Sequence, residues 1–104
     1  GFGDDYSAAQ EVEYCNGSTD TIGGSWRAQN GSIEPFNVKY WCVGNEMWGS
    51  WQLGYMHLDQ YVLKHNRASQ AMWGVDPDLV LRAVEQGAVT SQITGVRRVC
   101  LWPE

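Results

Sequence analysis

Basic residues are scarce in this sequence: seven Lys and Arg stand against twelve Asp and Glu among 104 residues, for a formal net charge of −5. Arg97-Arg98 is the one adjacent basic pair. With no basic stripe to displace condensed counterions, nucleic acid is excluded as a partner. Cysteine is also sparse. Cys15, Cys42 and Cys100 leave one thiol over in any disulfide scheme, and their spacing fits no metal chelate, so free, buried thiols are expected and neither a metal nor a cofactor is. No apolar stretch approaches the roughly 20 residues of a membrane span, which argues against a membrane partner. The chain opens on Gly1-Phe2-Gly3 without a signal-peptide pattern, an opening that reads as the interior of a longer protein. Internal repeats and low-complexity tracts are lacking, and the glycine pairs do not follow a strand as a phosphate-binding loop would.

What the chain has is aromatic and apolar content. Hydrophobic residues make up 43% and charged residues 18%, enough for one small core and too little charge for disorder. Six Trp and five Tyr suit core filling, and equally suit the flat faces of sugars; composition does not separate the two.

Along the chain, Asp4, Asp5 and Ser7 offer cap-type side chains before a run of good helix formers that Asn16-Gly17 ends, which predicts a helix over 7–15. Residues 16–37, with four Gly and Pro35, read as a long loop. Val38 to Gly44 is short, β-branched and aromatic, the pattern of a strand in a buried parallel sheet. Tyr61, His65, Ala68 and Met72 share one face of a helix with Asp59 as N-cap and an end near Trp73, before Gly74 and Asp76-Pro77. Leu79 to Val84 is a second strand candidate. A strand, a covering helix and a second strand form one βαβ unit, the kind of unit from which larger α/β folds are built.

The chemistry concentrates in Trp41-Cys42-Val43-Gly44-Asn45-Glu46-Met47-Trp48-Gly49, which sets Asn45 and Glu46 just past the C-terminal end of a strand. Active sites of α/β barrels are built at that end. A glutamate there, ringed by Trp41, Trp48 and Trp51, is open to the desolvation that keeps a carboxyl protonated and able to act as a general acid. A loop cap or a solvent-facing carboxylate fits an isolated Asn-Glu pair equally well, and strand context leaves both open. His57 and His65 read as packed or solvated histidines. Glu85, past the last strand candidate, matches no nucleophile motif, and Glu34 and Glu104 have less support still.

Several linked motifs carry a resemblance. Val12-Glu13-Tyr14-Cys15-Asn16-Gly17, Arg27-Ala28-Gln29-Asn30-Gly31, Glu34 through Trp41, Gly44-Asn45-Glu46-Met47, Trp51-Gln52-Leu53-Gly54, Ala71-Met72 and Val75-Asp76-Pro77 follow in that order. Over about residues 1–85 the chain resembles the α-L-arabinofuranosidases of glycoside hydrolase family 51. The resemblance implies an α/β fold, a partial (β/α)8 TIM barrel from the end of strand 3 to about strand 5. Residues 1–85 would be a fragment of that catalytic domain and 86–104 a divergent tail. It implies retaining hydrolysis of terminal α-L-arabinofuranosyl groups in arabinan and arabinoxylan. Glu46 matches the general acid/base, and Asn45 the residue that bonds the sugar 2-hydroxyl; Trp51 and Gln52 match the loop beside them. The nucleophile is expected far downstream, outside these residues, which leaves the isolated chain inactive. Arabinose-containing oligosaccharide or polysaccharide is the implied partner, and the parent enzyme a homo-oligomer. Free cysteines lean toward the cytoplasm, while family members are also secreted. The competing readings are a non-catalytic or degenerate sugar-binding fragment, and another retaining glycosidase of the same clan.

Overall fold

In the computed structural model the described residues are 3–44, 47, 49–83 and 99–101, the last three through their backbone alone. The elements are α1 (Asp5–Asn16), α2 (Ile22–Gln29), β1 (Tyr40–Cys42), α3 (Leu58–Val75), β2 (Val80–Ala83) and β3 (Val99–Leu101). The strands form one parallel sheet in the order β1-β2-β3. The register pairs Tyr40 with Val80, Trp41 with Leu81 and Cys42 with Arg82. Thus β1, α3 and β2 make the expected βαβ unit, and β3 adds a strand within 86–104, where the sequence predicts no element.

Helix α1 begins at a reciprocal cap. Asp4 Oδ1 accepts from Ser7 N at 2.7 Å, and Ser7 Oγ accepts from Asp4 N at 2.9 Å. These bonds, led by that from the Ser7 backbone, hold the Asp4 carboxyl below its ordinary range. Val12 is the fully buried residue of this helix, which packs on both α2 and α3.

Residues 16–37 are not one loop, because α2 interrupts them. Its sequence, Ile-Gly-Gly-Ser-Trp-Arg-Ala-Gln, is a poor helix former on propensity, two glycines costing about 0.8–1.0 kcal/mol each relative to Ala. Tertiary bonds override that. Thr21 Oγ1 caps Gly24 N at 3.0 Å. Gly24 lies so close to the Ser18 and Gly17 carbonyl oxygens that any Cβ would collide with them. Arg27 is fully buried, and its guanidinium donates to the carbonyls of Ser32 (3.0 Å), Tyr14 (3.0 Å), Gly17 (2.6 Å) and Ile33 (3.0 Å). One side chain therefore ties α2 to the last turn of α1 and to the chain that follows. Asn16 makes a second tie: its Nδ2 donates to Val38 O (2.8 Å) and Asp76 Oδ2 (3.1 Å), and its Oδ1 accepts from Val38 N (2.7 Å). The end of α1, the approach to β1 and the exit from α3 meet on this amide.

The helix face predicted for α3 is the buried one: Tyr61, His65, Ala68 and Met72 are joined there by Val62 and Ser69. Both predicted ends shift. The N-cap is His57, and Asp59 sits in the first turn, its Oδ1 accepting from Gln60 N at 3.0 Å. At the other end α3 runs through Trp73 and Gly74 to Val75. The Trp73 indole N–H donates to Leu79 O at 2.9 Å and holds the last turn onto the chain leading to β2, and Asp76 before Pro77 ends it.

The core lies between α1, α3 and one sheet face. Val12, Met72, Leu79 and Leu81 form one cluster, with Trp41 packed against it; Met47, Tyr61, Val62 and Ala83 form another. Because strand side chains alternate, Trp41, Leu81 and Ala83 face the helices while Tyr40, Cys42, Val80 and Arg82 share the opposite face. That second face is less buried. Tyr40 is 61% exposed, and the Arg82 guanidinium carbon lies 5.8 Å from its ring centroid. The expectation of buried thiols consequently fails at Cys42, which is exposed on this face. Cys15 is half-buried, and burial, then the charge of Glu11, raises its thiol pKa.

Candidate functional site at the end of strand β1

The sheet ladder runs one residue past β1. Val43 N donates to Arg82 O at 2.9 Å, and the phenol of Tyr61, reaching across from α3, donates to Val43 O at 2.7 Å. The chain then turns sharply: Gly44 adopts φ +78°, a conformation that disfavours any residue with a Cβ. A Cβ at this position would also press on Met47 Cγ (2.9 Å) and Tyr61 Cε2 (3.3 Å). Met47 is 3% exposed within the Tyr61–Val62–Ala83 cluster, and its carbonyl accepts from Met56 N at 2.7 Å. Asn45 and Glu46, the expected sugar-binding amide and acid/base, lie outside the described residues, as do Trp48, Glu85 and Glu104. Their flanking positions, Val43–Gly44 and Met47, are both anchored.

The segment after Met47 is a pair of tight turns, closed by Gln52 N to Gly49 O (2.9 Å) and Tyr55 N to Gln52 O (3.2 Å). Trp51, an expected substrate-binding residue, lays its indole against Gly49, where a Cβ would meet the ring at 2.5 Å. Its side chain is nonetheless 64% exposed, and Gln52 beside it is half-buried. Trp41, by contrast, is half-buried. It packs on the helix side of the sheet, and its indole N–H donates to Val38 O at 2.9 Å. Glu34 is exposed on the segment leading to β1.

A cavity of about 220 Å³ lies between α1, α3 and the end of β1, lined by Ser7, Trp41, Gly44, Met47, His65 and Met72 among others. Its lining includes Met56, which with Met47 flanks the turn that carries Trp51. His65 at its wall is fully buried. Its Nδ1 lies 3.3 Å from Ser69 Oγ, and burial lowers its pKa below the ordinary 6.5. His65 is therefore a packed core histidine, one of the two uses the sequence leaves open. Among the described residues no group of three or more His, Cys, Asp or Glu is placed to hold a metal ion, and no helix is long and apolar enough to cross a membrane. Tyr61 is the residue that sequence reasoning passed over. It counts there only as a member of an apolar helix face, and nothing in that pattern marks where its hydroxyl goes.

The family model described as "Alpha-L-arabinofuranosidase 1 domain" matches residues 5–97. The chain belongs to the family 51 α-L-arabinofuranosidases. A curated relative from Aspergillus terreus, a probable α-L-arabinofuranosidase C, is 42% identical over 92 residues, 88% of this chain and 18% of the relative. The intracellular exo-α-(1→5)-L-arabinofuranosidase of Bifidobacterium longum is 41% identical over 66 residues, 64% of this chain and 12% of that protein. Among solved structures, the thermostable family 51 α-L-arabinofuranosidase of Thermotoga petrophila superposes with a TM-score of 0.77 at 39% identity, over 81% of this chain and 18% of that one. The chain thus spans less than a fifth of the length of these relatives. The family is one of glycoside hydrolases, and the matched span contains Asn45, Glu46, Trp51 and Gln52.

Proposed function

We propose that this chain is the acid/base-bearing portion of a retaining α-L-arabinofuranosidase. Its substrates are terminal non-reducing α-L-arabinofuranosyl groups of arabinan, arabinoxylan and related oligosaccharides. The observation that carries the reading is the anchored turn at the end of β1: a parallel strand delivers Val43 and Gly44 to the point where Asn45 and Glu46 follow, and α3 returns the chain to a neighbouring parallel strand. C-terminal strand ends are where α/β barrels assemble their sites. A sheet covered by helices on one face, with Tyr40, Cys42 and Arg82 on the other, supports β1 and β2 as the fourth and fifth strands of a (β/α)8 barrel whose interior is that second face.

In this reading Glu46 is protonated in the resting enzyme. It gives its proton to the glycosidic oxygen as a second carboxylate attacks the anomeric carbon, which releases the alcohol and leaves a glycosyl-enzyme ester. The Glu46 carboxylate then takes a proton from the water that displaces the ester. The two carboxyl groups must lie about 5–5.5 Å apart for this outcome, and the nucleophile is supplied from elsewhere in the barrel. Asn45 bonds the sugar 2-hydroxyl, and the exposed Trp51 ring with Gln52 borders the subsite. Glu46→Ala in the full-length parent enzyme tests the assignment. General acid/base catalysis contributes about 10²–10⁴-fold, and a loss of that order in kcat/KM on phenyl α-L-arabinofuranoside, whose leaving group needs the acid, is expected. An unchanged rate removes Glu46 from the mechanism. The isolated 104 residues release no arabinose in the same assay; Glu46-dependent release by them would require a second carboxylate within this chain.

A further inference from the structure

We infer that Tyr61 is a positioning residue for the acid/base: from α3 its hydroxyl holds the Val43 carbonyl and its ring packs beside Gly44 and Met47, the described residues on either side of Asn45-Glu46. The inference rests on the acid/base reading of Glu46. Tyr61 is 3% exposed, and it lies against both flanks of the turn. Its hydroxyl donates to Val43 O at 2.7 Å, fixing the last carbonyl before the turn. Its ring edge is where a Cβ on Gly44 would fall, 3.3 Å from Cε2, so the ring also sets the room available to the turn at φ +78°. On the far side of the turn, the buried Met47 packs in the same cluster as Tyr61, while its carbonyl is tied to Met56 N at 2.7 Å.

The alternative use of a tyrosine at this position is plain core filling, and the hydroxyl argues against it. A buried helix position facing Met47, Val62 and Ala83 is filled as well by Phe or Leu. The phenol adds what Phe or Leu lacks, a bond to the Val43 carbonyl at 2.7 Å. Val43 bonds Arg82 O through its N–H and Tyr61 through its carbonyl, so the peptide planes before and after Val43 are each held by a bond. A displacement of about 1 Å at a reacting group can cost on the order of 10²-fold in rate, so rigid flanks matter more here than on an ordinary loop.

The experiment compares aryl α-L-arabinofuranosides with a dinitrophenyl and a phenyl leaving group, in the full-length parent enzyme and its Tyr61→Phe, Gly44→Ala, Leu79→Ala and Glu46→Ala variants. Departure of dinitrophenolate needs little protonation, and departure of phenolate needs the acid. The ratio of the two kcat/KM values does not depend on how much of a variant is folded. Tyr61→Phe and Gly44→Ala are expected to lower kcat/KM for the phenyl substrate about 10-fold more than for the dinitrophenyl one, part of the 10²–10⁴-fold that general acid catalysis supplies. Glu46→Ala is expected to show the full split, and Leu79→Ala, a core change remote from the turn, to lower both rates equally. A Tyr61→Phe ratio equal to that of wild type, with Glu46→Ala still split, overturns the positioning role and leaves the acid/base assignment intact. No split in Glu46→Ala overturns both.

Discussion

Replacing Arg27 by Met tests whether a single guanidinium holds the α1–α2 corner together. Methionine keeps most of the unbranched stem and deletes every donor. Four carbonyls lose their partner: Tyr14, Gly17, Ser32 and Ile33. A buried acceptor left unsatisfied costs about 1–3 kcal/mol. Ile33 is 68% exposed, and its carbonyl and that of Ser32 can turn toward water, whereas those of Tyr14 and Gly17 sit at the C-terminal end of α1 against the buried Arg27. Two unrelieved acceptors, plus the lost contact with the Phe36 ring 5.9 Å from the guanidinium carbon, give an expected destabilisation of about 3–5 kcal/mol. Urea unfolding followed by tryptophan fluorescence reads this as a midpoint lowered by about 2 M, taking a denaturant slope near 2 kcal/mol/M. Arg27→Lys is expected to fall about midway, since one ammonium cannot span acceptors that the planar fork reaches from three nitrogens. An Arg27→Met midpoint equivalent to less than about 1 kcal/mol of loss would refute the reasoning and make the corner a product of apolar packing.

Two further outcomes follow from the buried polar groups. His65 has a folded pKa below the unfolded 6.5 because burial disfavours the imidazolium, so the unfolded chain binds the extra proton. Its contribution is whole above pH 6.5 and is lost as pH falls from there to the folded value; urea midpoints of the wild type should drop across that window more steeply than those of His65→Gln, and parallel curves would rule out this source. Asn16→Asp removes the amide donor to Val38 O and sets a second carboxylate where the amide stood 3.1 Å from Asp76 Oδ2. A loss of about 1–3 kcal/mol is expected at neutral pH, with part regained as pH falls into the carboxylate range, and a pH-independent loss would count against the charge clash.

The ties are divided between the two ends of the sheet. At the N-terminal ends of the strands, Asn16 gathers α1, the approach to β1 and the exit from α3 with side-chain bonds. At the C-terminal end of β1, Tyr61 and Met56 anchor the residues that flank Asn45-Glu46. The first sets where the strand lies in the sheet, and the second sets how its last peptide is oriented.

By itself, the sequence determined the order of strand, helix and strand, the buried face of α3, the first helix and the family. Each rests on a local period or on linked motifs: four residues at helical spacing put Tyr61, His65, Ala68 and Met72 on one side whatever packs against them. Asp76-Pro77 forbids helix beyond it for steric reasons that need no partner. Tertiary structure alone decided α2, whose glycines read as turn formers and whose helix depends on Thr21, on the close approach at Gly24 and on four carbonyls brought to Arg27. It decided that Trp41 serves the core while Trp51 stays exposed, since the faces of a strand are told apart only by what covers them. It also decided the use of the Tyr61 hydroxyl. An apolar helix period records that a ring is buried, and a bond to a carbonyl 18 residues away exists only once α3 lies across the end of β1.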